Sequence, residues 1–310
     1  MHDATAIHPD DLDEFIRETL ADDGLYVMGD EHGAAGVCPY ISFYLRHPPE
    51  RQREVASQLL AVAREFAGLA DEPFRLLRVG EDGAWHACRG GRLPANLGTT
   101  LRRACASSLP FIVEATDRRQ PADSARWALA LRADTEPDHY SYLKLTFRKR
   151  WYAAHVQHWH AFALRAVSLL RPEHCYSGLE IGNGGFALPA TPWRRLLEQA
   201  CATRLPGLEH DDPALHTLHS TRAGRRWQPT GLGRGPRTPG WSFLLAPRWL
   251  RALEDGGSAL RAALAQPGTE VQAIDYPTDG IEPGGEALWI RRGTLDSAAH
   301  SYPPLPGLPG

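Results

Sequence analysis

Apolar residues recur along the chain at two spacings, one typical of helices and the other typical of strands. In PYISFYL (39–45) and YSYLKLTF (140–147) apolar residues alternate with other residues, which predicts strands. Between residues 50 and 67, apolar residues recur at steps of four, three and four, which predicts an amphipathic helix. The stripe that this helix would bury consists of Val55, Leu59, Val62 and Phe66.

The same two patterns predict the remaining elements. Helices are expected over residues 10–20, 96–107, 150–170, 192–203, 247–254 and 258–265. Strands are expected over residues 74–79, 84–88, 111–115, 127–132, 175–181, 241–245, 269–274 and 287–291. Residues 220–240, rich in Gly, Pro and Arg, are expected to form a long loop.

Helices and strands are mixed along the chain, without the regular strand–helix–strand repeat of a parallel α/β protein. We therefore predict an α+β fold in which mixed or antiparallel sheets are flanked by helices and two lobes pack as one compact unit. The predicted parts are an N-terminal helix and lead-in (1–36), an N-terminal α+β lobe (37–138), a C-terminal α+β lobe (139–295) and a mobile Pro-rich tail (296–310).

The charge composition narrows the functional classes. Among the 310 residues, 34 are Lys or Arg and 37 are Asp or Glu. This balance excludes a generally basic nucleic-acid binder and a polyacidic disordered chain. Only Lys144 and Lys149 are lysines, and the preference for Arg indicates a GC-rich bacterial genome rather than a function.

The sequence also predicts a compartment. The N-terminus carries no basic and apolar leader, and no apolar run reaches the roughly 18 residues that a membrane span needs. The five cysteines are widely spaced without a C-x-x-C pair, which favours free thiols in a reduced cytoplasm. We therefore expect a cytoplasmic protein without a disulfide framework or a Cys-rich zinc site.

The motif HVQHWH (155–160) is one candidate for a metal site, because three histidines within six residues suggest zinc ligands. On a helix, His155 and His158 point in similar directions, while His160 points away from them by about 140°. His155 also falls within the apolar stripe of the predicted helix, which favours a histidine of the core or its boundary. A metal-dependent hydrolase that uses His155 and His158 is therefore one alternative function.

Three further motifs carry no complete catalytic or binding signature. The acidic and histidine-rich segment 209–219 has metal-binding residue types, but Pro213 interrupts it. The Gly-rich turn over residues 178–185 lacks the spacing of a phosphate-binding loop. His174 and Cys175 are sequence neighbours, so on a strand they point to opposite faces and cannot form a catalytic dyad.

One segment is rich in arginine and has no acid between His219 and Gly240. Its arginines are Arg222, Arg225, Arg226, Arg234 and Arg237. Such a segment could contact phosphates, so nucleic-acid binding through the Arg222–Arg237 loop is a second alternative function. From the residues alone, a binding protein is favoured over an enzyme, and neither a metal nor a cofactor is predicted.

Three segments together resemble one known family. They are ISFYLRHPPERQREVASQLL (41–60), LKLTFRKRWYAAHVQHWHAFALRAVSLLRPEHCYSGLEIGN (143–183) and RTPGWSFLLAPRWLRALEDGGSALRAALAQPGTEVQAI (237–274), the last followed by EALWIRRG (286–293). In order and spacing they are similar to the TsiV-like family of type VI secretion immunity proteins. The Arg-rich loop before Trp241 and the Pro-rich tail depart from the family pattern and leave partner specificity open.

The resemblance implies a protein that binds an injected toxin stoichiometrically and blocks its active site, with no catalytic site of its own. The expected partner is a cognate toxin encoded by a neighbouring gene, and in such families it is often a cytoplasmic nuclease. A nuclease groove is basic, so acidic surface clusters are the expected contacts. The candidate partner-binding residues are Glu209, Asp211, Asp212, Asp134, Glu136 and Asp138.

Overall fold

The computed structural model describes residues 7–21, 23–27, 33–182, 192–209, 211–223, 226–237, 240–253, 257–278, 284–300, 302–303 and 305–308. The strands in these ranges are β1 (Tyr26–Val27), β2 (Ala34–Ala35), β3 (Val37–Leu45), β4 (Leu76–Val79), β5 (His86–Ala87), β6 (Phe111–Thr116), β7 (Ala128–Ala133), β8 (Ser141–Thr146), β9 (His174–Ile181), β10 (Leu208–Glu209), β11 (Ser220–Ala223), β12 (Arg226–Pro229), β13 (Ser242–Leu245), β14 (Thr269–Tyr276) and β15 (Gly285–Arg292). The helices are α1 (Pro9–Ile16), α2 (Gln52–Leu69), α3 (Leu97–Ala106), α4 (Lys149–Ala154), α5 (Val156–Leu170), α6 (Pro192–Arg204), α7 (Pro213–His216), α8 (Pro247–Ala252) and α9 (Ser258–Leu264). Within the described ranges, none of the helices combines the length and the apolarity that crossing a bilayer requires.

Eleven strands of the described chain form one sheet, whose main path runs β14-β15-β13-β9-β3-β8-β7-β6-β4-β5. Every neighbouring pair on this path is antiparallel, and β10 adds to β9 in parallel. The predicted α+β class, with antiparallel strands and flanking helices, is confirmed. Strands β8 and β9 of the predicted second lobe flank β3 of the first, so the lobes share one sheet, and the proposed boundaries stay a prediction.

Strand β3 lies near the middle of the sheet and is buried along its whole length. Because side chains alternate along a strand, Ile41 and Phe43 face one side of the sheet, whereas Tyr40, Ser42 and Tyr44 face the other. The first side carries the larger apolar core beneath α2 and α5. The second side carries a smaller core, to which α9 contributes, and it is the side on which the charged groups described below are buried.

Helix α2 confirms the amphipathic helix that the apolar spacing predicted. All four residues of its predicted stripe are at most 4% exposed: Val55, Leu59, Val62 and Phe66. The Phe66 ring contacts Trp127 and Trp159, with ring centroids 5.5 and 6.4 Å away. Burial of each large apolar side chain of this stripe stabilises the fold by about 1.5–3 kcal/mol.

The helix expected over residues 150–170 breaks at His155 into α4 and α5. His155 has φ −132° and ψ 29°, and its Nδ1 lies 2.8 Å from the carbonyl oxygen of Trp151. In an unbroken helix the backbone N–H of residue 155 would donate to that carbonyl. The imidazole takes its place and ends α4. The pattern predicted a histidine of the core or its boundary, and the exposure of His155 rules out the core position.

Residues 220–240, expected as a loop, begin instead with the antiparallel hairpin β11–β12 and continue into a 3₁₀ turn over Gly231–Arg234. Thr221 pairs with Gln228 across the hairpin, and Arg222 pairs with Trp227. The prediction was wrong because a backbone ladder holds this hairpin together, while its sequence lacks the apolar alternation by which a half-buried strand is detected.

The described residues of the Pro-rich tail pack against the fold. Leu305 is buried in the second core. Arg292 lies over the ring of Tyr302, 4.6 Å from its centroid. Mobility of the tail stays a prediction.

Candidate functional site

Five largely buried ionisable side chains meet on the second side of the sheet and form a buried charge network: Lys144, Glu180, Glu209, Asp211 and Arg237. Arg237 bridges two carboxylates, with Nη1 2.5 Å from Asp211 Oδ1 and Nη2 2.6 Å from Glu209 Oε2. Lys144 Nζ lies 2.7 Å from Glu180 Oε2 and 3.8 Å from Asp211 Oδ2. Every charge of the network thus faces an opposite charge, which is what makes its burial tolerable.

Asp211 lies at the centre of the network and is 2% exposed. Tyr44 donates a 3.0 Å hydrogen bond to its Oδ1, and Ser42 donates one to its Oδ2. Burial alone would raise the pKa of Asp211, but Arg237 and Lys144 outweigh burial and lower this pKa to about 2. The carboxylate is therefore ionised throughout the physiological range and holds the guanidinium of Arg237 in place.

Glu209 reaches the sheet because two glycines leave room for its carboxylate. A Cβ added to Gly178 or to Gly240 would collide with Glu209 Oε1. Tyr40 donates a 2.5 Å hydrogen bond to Glu209 Oε2. Burial raises the pKa of Glu209 more than Arg237 lowers it, so this carboxylate is held more weakly in its ionised form than that of Asp211.

The buried charge network connects two parts of the chain that are distant in sequence. Lys144 and Glu180 belong to β8 and β9, and Glu209 belongs to β10 at the side of β9. Asp211 and Arg237 lie in the described residues of 211–237, which we name the crossing segment. The network therefore fastens this crossing segment to the sheet. The prediction that Asp211 belongs to an acidic surface cluster is wrong, because Arg237 and Lys144 neutralise its carboxylate inside the protein.

A cleft of about 420 Å³ opens to the surface near the network. Tyr44, which hydrogen-bonds to Asp211, contacts Tyr140 in the wall of the cleft, with ring centroids 6.2 Å apart. The polar residues that line the cleft are Arg46, Asp138, Tyr140, His219, Ser220 and Arg248. Both signs of charge therefore face one opening.

A buried hydrogen-bonded group supports the wall of the cleft. Tyr140 OH donates a 3.0 Å hydrogen bond to Glu173 Oε1, and Arg248 Nη1 lies 2.8 Å from the same oxygen. His174 Nε2 lies 3.3 Å from Tyr140 OH. Burial lowers the pKa of His174 despite the adjacent Glu173, so the imidazole is neutral at pH 7. The group fixes Arg248 at the cleft and presents no exposed general base.

Two arginines line the cleft, and others lie on the hairpin segment that borders it. Ser220 and Pro229, the first and last residues of the hairpin β11–β12, both line the cleft, so the hairpin rises directly from its wall. We name five arginines of the cleft and the hairpin segment the arginine rim: Arg46, Arg222, Arg226, Arg234 and Arg248. Arg46 and Arg226 are exposed and make no ion pair within the part of the chain that the structure describes. Arg225 and His210, which the sequence also singled out, lie outside the described residues.

The structure separates the acidic residues predicted to contact a partner. Asp134 is buried, and its Oδ2 lies 2.6 Å from Arg132 Nε, so it is not a surface group. Glu136 is exposed, while Asp138 is half-buried and lines the cleft. Asp212 is half-buried next to the buried Asp211. Partner contact by the acidic residues that reach the surface stays a prediction.

The histidines of the HVQHWH motif and the five cysteines make structural contacts. His155 stacks on Trp151, 4.6 Å between ring centroids, and His158 lies 6.3 Å from the same ring. Among the described residues, no group of three or more His, Cys, Asp or Glu side chains is arranged to hold a metal ion. Burial raises the pKa of all five cysteine thiols, and a raised pKa disfavours the reactive thiolate.

Sequence reasoning missed Arg46 and Arg248 as members of a site. The sequence does contain a signal that could have indicated Arg248, since residues 213–253 contain seven arginines and no acid. Arg46 lies between β3 and α2, far from this segment in sequence, and only the folded chain brings it to the cleft.

Comparison with known families identifies the class of protein. The family model TsiV, described as type VI immunity for VRR-NUC, matches residues 97–281, which is more than half of the chain. The chain therefore belongs to the TsiV family of type VI immunity proteins.

The fold is also found in a solved structure. The Pseudomonas aeruginosa T6SS protein PA0821 aligns with a TM-score of 0.61 and 19% identity over 88% of this chain and 69% of that one. At this identity the likeness shows the shared fold alone. Comparison with curated proteins gave no match.

Proposed function

We propose that this protein protects its cell from a VRR-NUC-type nuclease toxin by binding the toxin in the cytoplasm and covering its active site. The observation that carries the proposal is the family match over residues 97–281. The matched segment includes the hairpin β11–β12, the crossing segment and the buried charge network. Inhibition by coverage requires a stable surface and no turnover, and the cleft with its fixed Arg248 supplies such a surface.

The charge pattern around the cleft supports a nuclease as the partner. A nuclease presents a basic groove for DNA, and the carboxylates that bind its divalent cations lie within that groove. On this protein, Asp138 lines the cleft together with Arg46 and Arg248, and Glu136, two residues away in sequence, is exposed. A surface of alternating sign is complementary to such a groove, which favours recognition of one partner over general binding to polyanions.

Co-expression tests the proposal in cells. The VRR-NUC-type toxin encoded beside this gene is induced with and without the immunity protein, and viable cells and chromosomal DNA are followed. We expect survival and intact DNA only when the protein is present, and complex recovery by pull-down through a tag on the toxin. Cell death in the presence of folded protein would contradict the proposed function.

A further inference from the structure

We propose that the arginine rim is the surface that contacts the toxin, and that it recognises a cluster of carboxylates at the toxin's nuclease centre. This inference rests on the proposed function and adds the chemistry of the contact. It reverses the expectation from the sequence, in which the acidic residues were the principal contacts. Two of those acids, Asp134 and Asp211, are buried and paired, whereas the arginines of the hairpin are exposed.

The first argument is the local charge. Residues 213–253 carry seven arginines without an acid, although the whole chain has a net charge of −3. Arg237 is paired within the buried charge network, and one N–H of Arg248 donates to Glu173. Arg222 and Arg226 are exposed on the hairpin. The hairpin beside the cleft therefore carries positive charge at its surface, with no acid in the same stretch of sequence.

The second argument is the shape of the hairpin. Strands β11 and β12 pair only with each other in the described structure and stand outside the large sheet. Arg222 lies opposite Trp227 and Arg226 lies opposite Ala223, which places the two arginines on different faces of the hairpin. A hairpin inserted into a groove of the toxin would therefore present Arg222 to one wall of the groove and Arg226 to the opposite wall.

The third argument is that the base of the hairpin is already fixed. The amide of His219 donates to the Asp138 carbonyl at 2.9 Å, and that of Thr230 donates to the His219 carbonyl at 2.9 Å. Beyond the hairpin, Leu232 is buried at 3% exposure, and Arg237 is locked in the buried charge network. A projection held at both ends loses little conformational entropy on binding, which favours affinity.

The fourth argument is the chemistry of the partner. Guanidinium groups bind carboxylates through paired, charge-assisted hydrogen bonds. Nuclease centres hold divalent cations with carboxylate oxygens, so a nuclease groove contains an acidic cluster within a basic surface. Phosphates of a nucleic acid are the competing ligand for the arginine rim. A nuclease groove also offers cations to Asp138, which lines the cleft, and to the exposed Glu136, whereas a nucleic acid offers only negative charge, which both acids would repel.

Charge reversal on the hairpin tests the inference directly. The double variant Arg222→Glu/Arg226→Glu changes two exposed side chains, and Arg53→Glu/Arg103→Glu reverses two exposed arginines on α2 and α3 as the matched control. Affinity for the purified toxin is measured by calorimetry at two salt concentrations, and circular dichroism verifies that both variants are folded. We expect the hairpin variant to bind at least tenfold more weakly, with a reduced salt dependence, and the control to bind within twofold of the wild type.

The outcomes separate this inference from the proposed function. If the wild type binds and inhibits the toxin while the hairpin variant does so equally well, the arginine rim is not the contact and this inference fails alone. If the folded wild type neither binds nor inhibits the toxin, the proposed function itself fails. A toxin whose metal-binding carboxylates are replaced by amides should bind the wild type more weakly, and unchanged affinity for it would also overturn the inference. Binding of the wild type to duplex DNA at physiological salt, lost in the hairpin variant, would assign the rim to nucleic acid instead.

Discussion

Replacing Asp211 with asparagine removes one negative charge from the centre of the buried charge network. The amide is nearly the same size, so packing changes little, but Arg237 and Lys144 lose a carboxylate that lies 2.5 Å and 3.8 Å from their nitrogens. The other carboxyl groups of the network, Glu180 and Glu209, have raised pKa values because of burial and compensate the two cations less readily.

Two approaches give the magnitude of the expected loss. The pKa of Asp211 is lowered from 3.8 to about 2, and at about 1.4 kcal/mol per pKa unit this shift corresponds to about 2 kcal/mol of stability at neutral pH. Removing one partner of a buried ion pair typically costs about 3–5 kcal/mol. We therefore expect Asp211→Asn to lower the free energy of unfolding by about 2–4 kcal/mol.

Urea unfolding followed by tryptophan fluorescence measures this free energy. The matched control is Asp82→Asn, since Asp82 is exposed, and we expect it to change stability by less than about 0.5 kcal/mol. The pH dependence gives a second readout. Because the folded pKa of Asp211 lies below its unfolded value, its contribution is complete above about pH 4 and disappears as the pH falls towards 2.

A loss no larger than that of the control would refute the reasoning, because Asp211 would then make no strong interaction with Arg237 and Lys144. Should Asp211→Asn fail to fold, Tyr44→Phe provides a milder test. It removes only the 3.0 Å hydrogen bond to Asp211, and we expect it to cost about 1.5–3 kcal/mol because the acceptor is charged.

Three further predictions follow from the structure. Gly178→Ala should destabilise the protein because the added methyl group collides with the Glu209 carboxylate. Gly98→Ala in α3, where the added methyl group meets open space, should leave stability equal or higher. Thermal unfolding compares the two variants. Cys105, the half-buried thiol, should react with a thiol reagent in the native protein well before the fully buried Cys175, and equal rates would contradict their assigned burial. Burial and Arg291 lower the pKa of His160 from 6.5 to about 4. The unfolded chain therefore binds a proton on this side chain more readily, and the free energy of unfolding should rise with pH between about 4 and 6.5. His160→Gln should reduce this slope in unfolding measurements.

Much of the fold could be predicted from local patterns, since those patterns record burial. The stripe of α2 and the alternation in β8 reflect contact with the apolar core, and both elements form where they were expected. The break at His155 could not be predicted from periodicity, because it depends on one imidazole that competes with a backbone amide for the Trp151 carbonyl. The hairpin β11–β12 was missed because residues 220–223 and 226–229 show no alternation of apolar and polar residues.

The site was harder to predict than the fold because charge does not reveal burial. Asp211 and Glu136 are both acids in short acidic clusters, yet one lies inside the protein with Arg237 and the other is exposed. The difference depends on Lys144, which β8 brings to Asp211 from 67 residues away. Likewise, the order of the strands in the sheet brings Arg46 to the cleft. No local pattern in a single sequence reveals that order, so the position of Arg46 could not be predicted.

Titration of the nuclease activity tests the central claim most directly. Purified protein is added stepwise to a fixed amount of the cognate VRR-NUC-type toxin, and cleavage of duplex DNA is measured at several DNA concentrations. Coverage of the active site predicts that cleavage stops at one equivalent of protein and that excess DNA weakens the inhibition by competition. Unchanged cleavage in the presence of a folded excess of the protein would contradict the account.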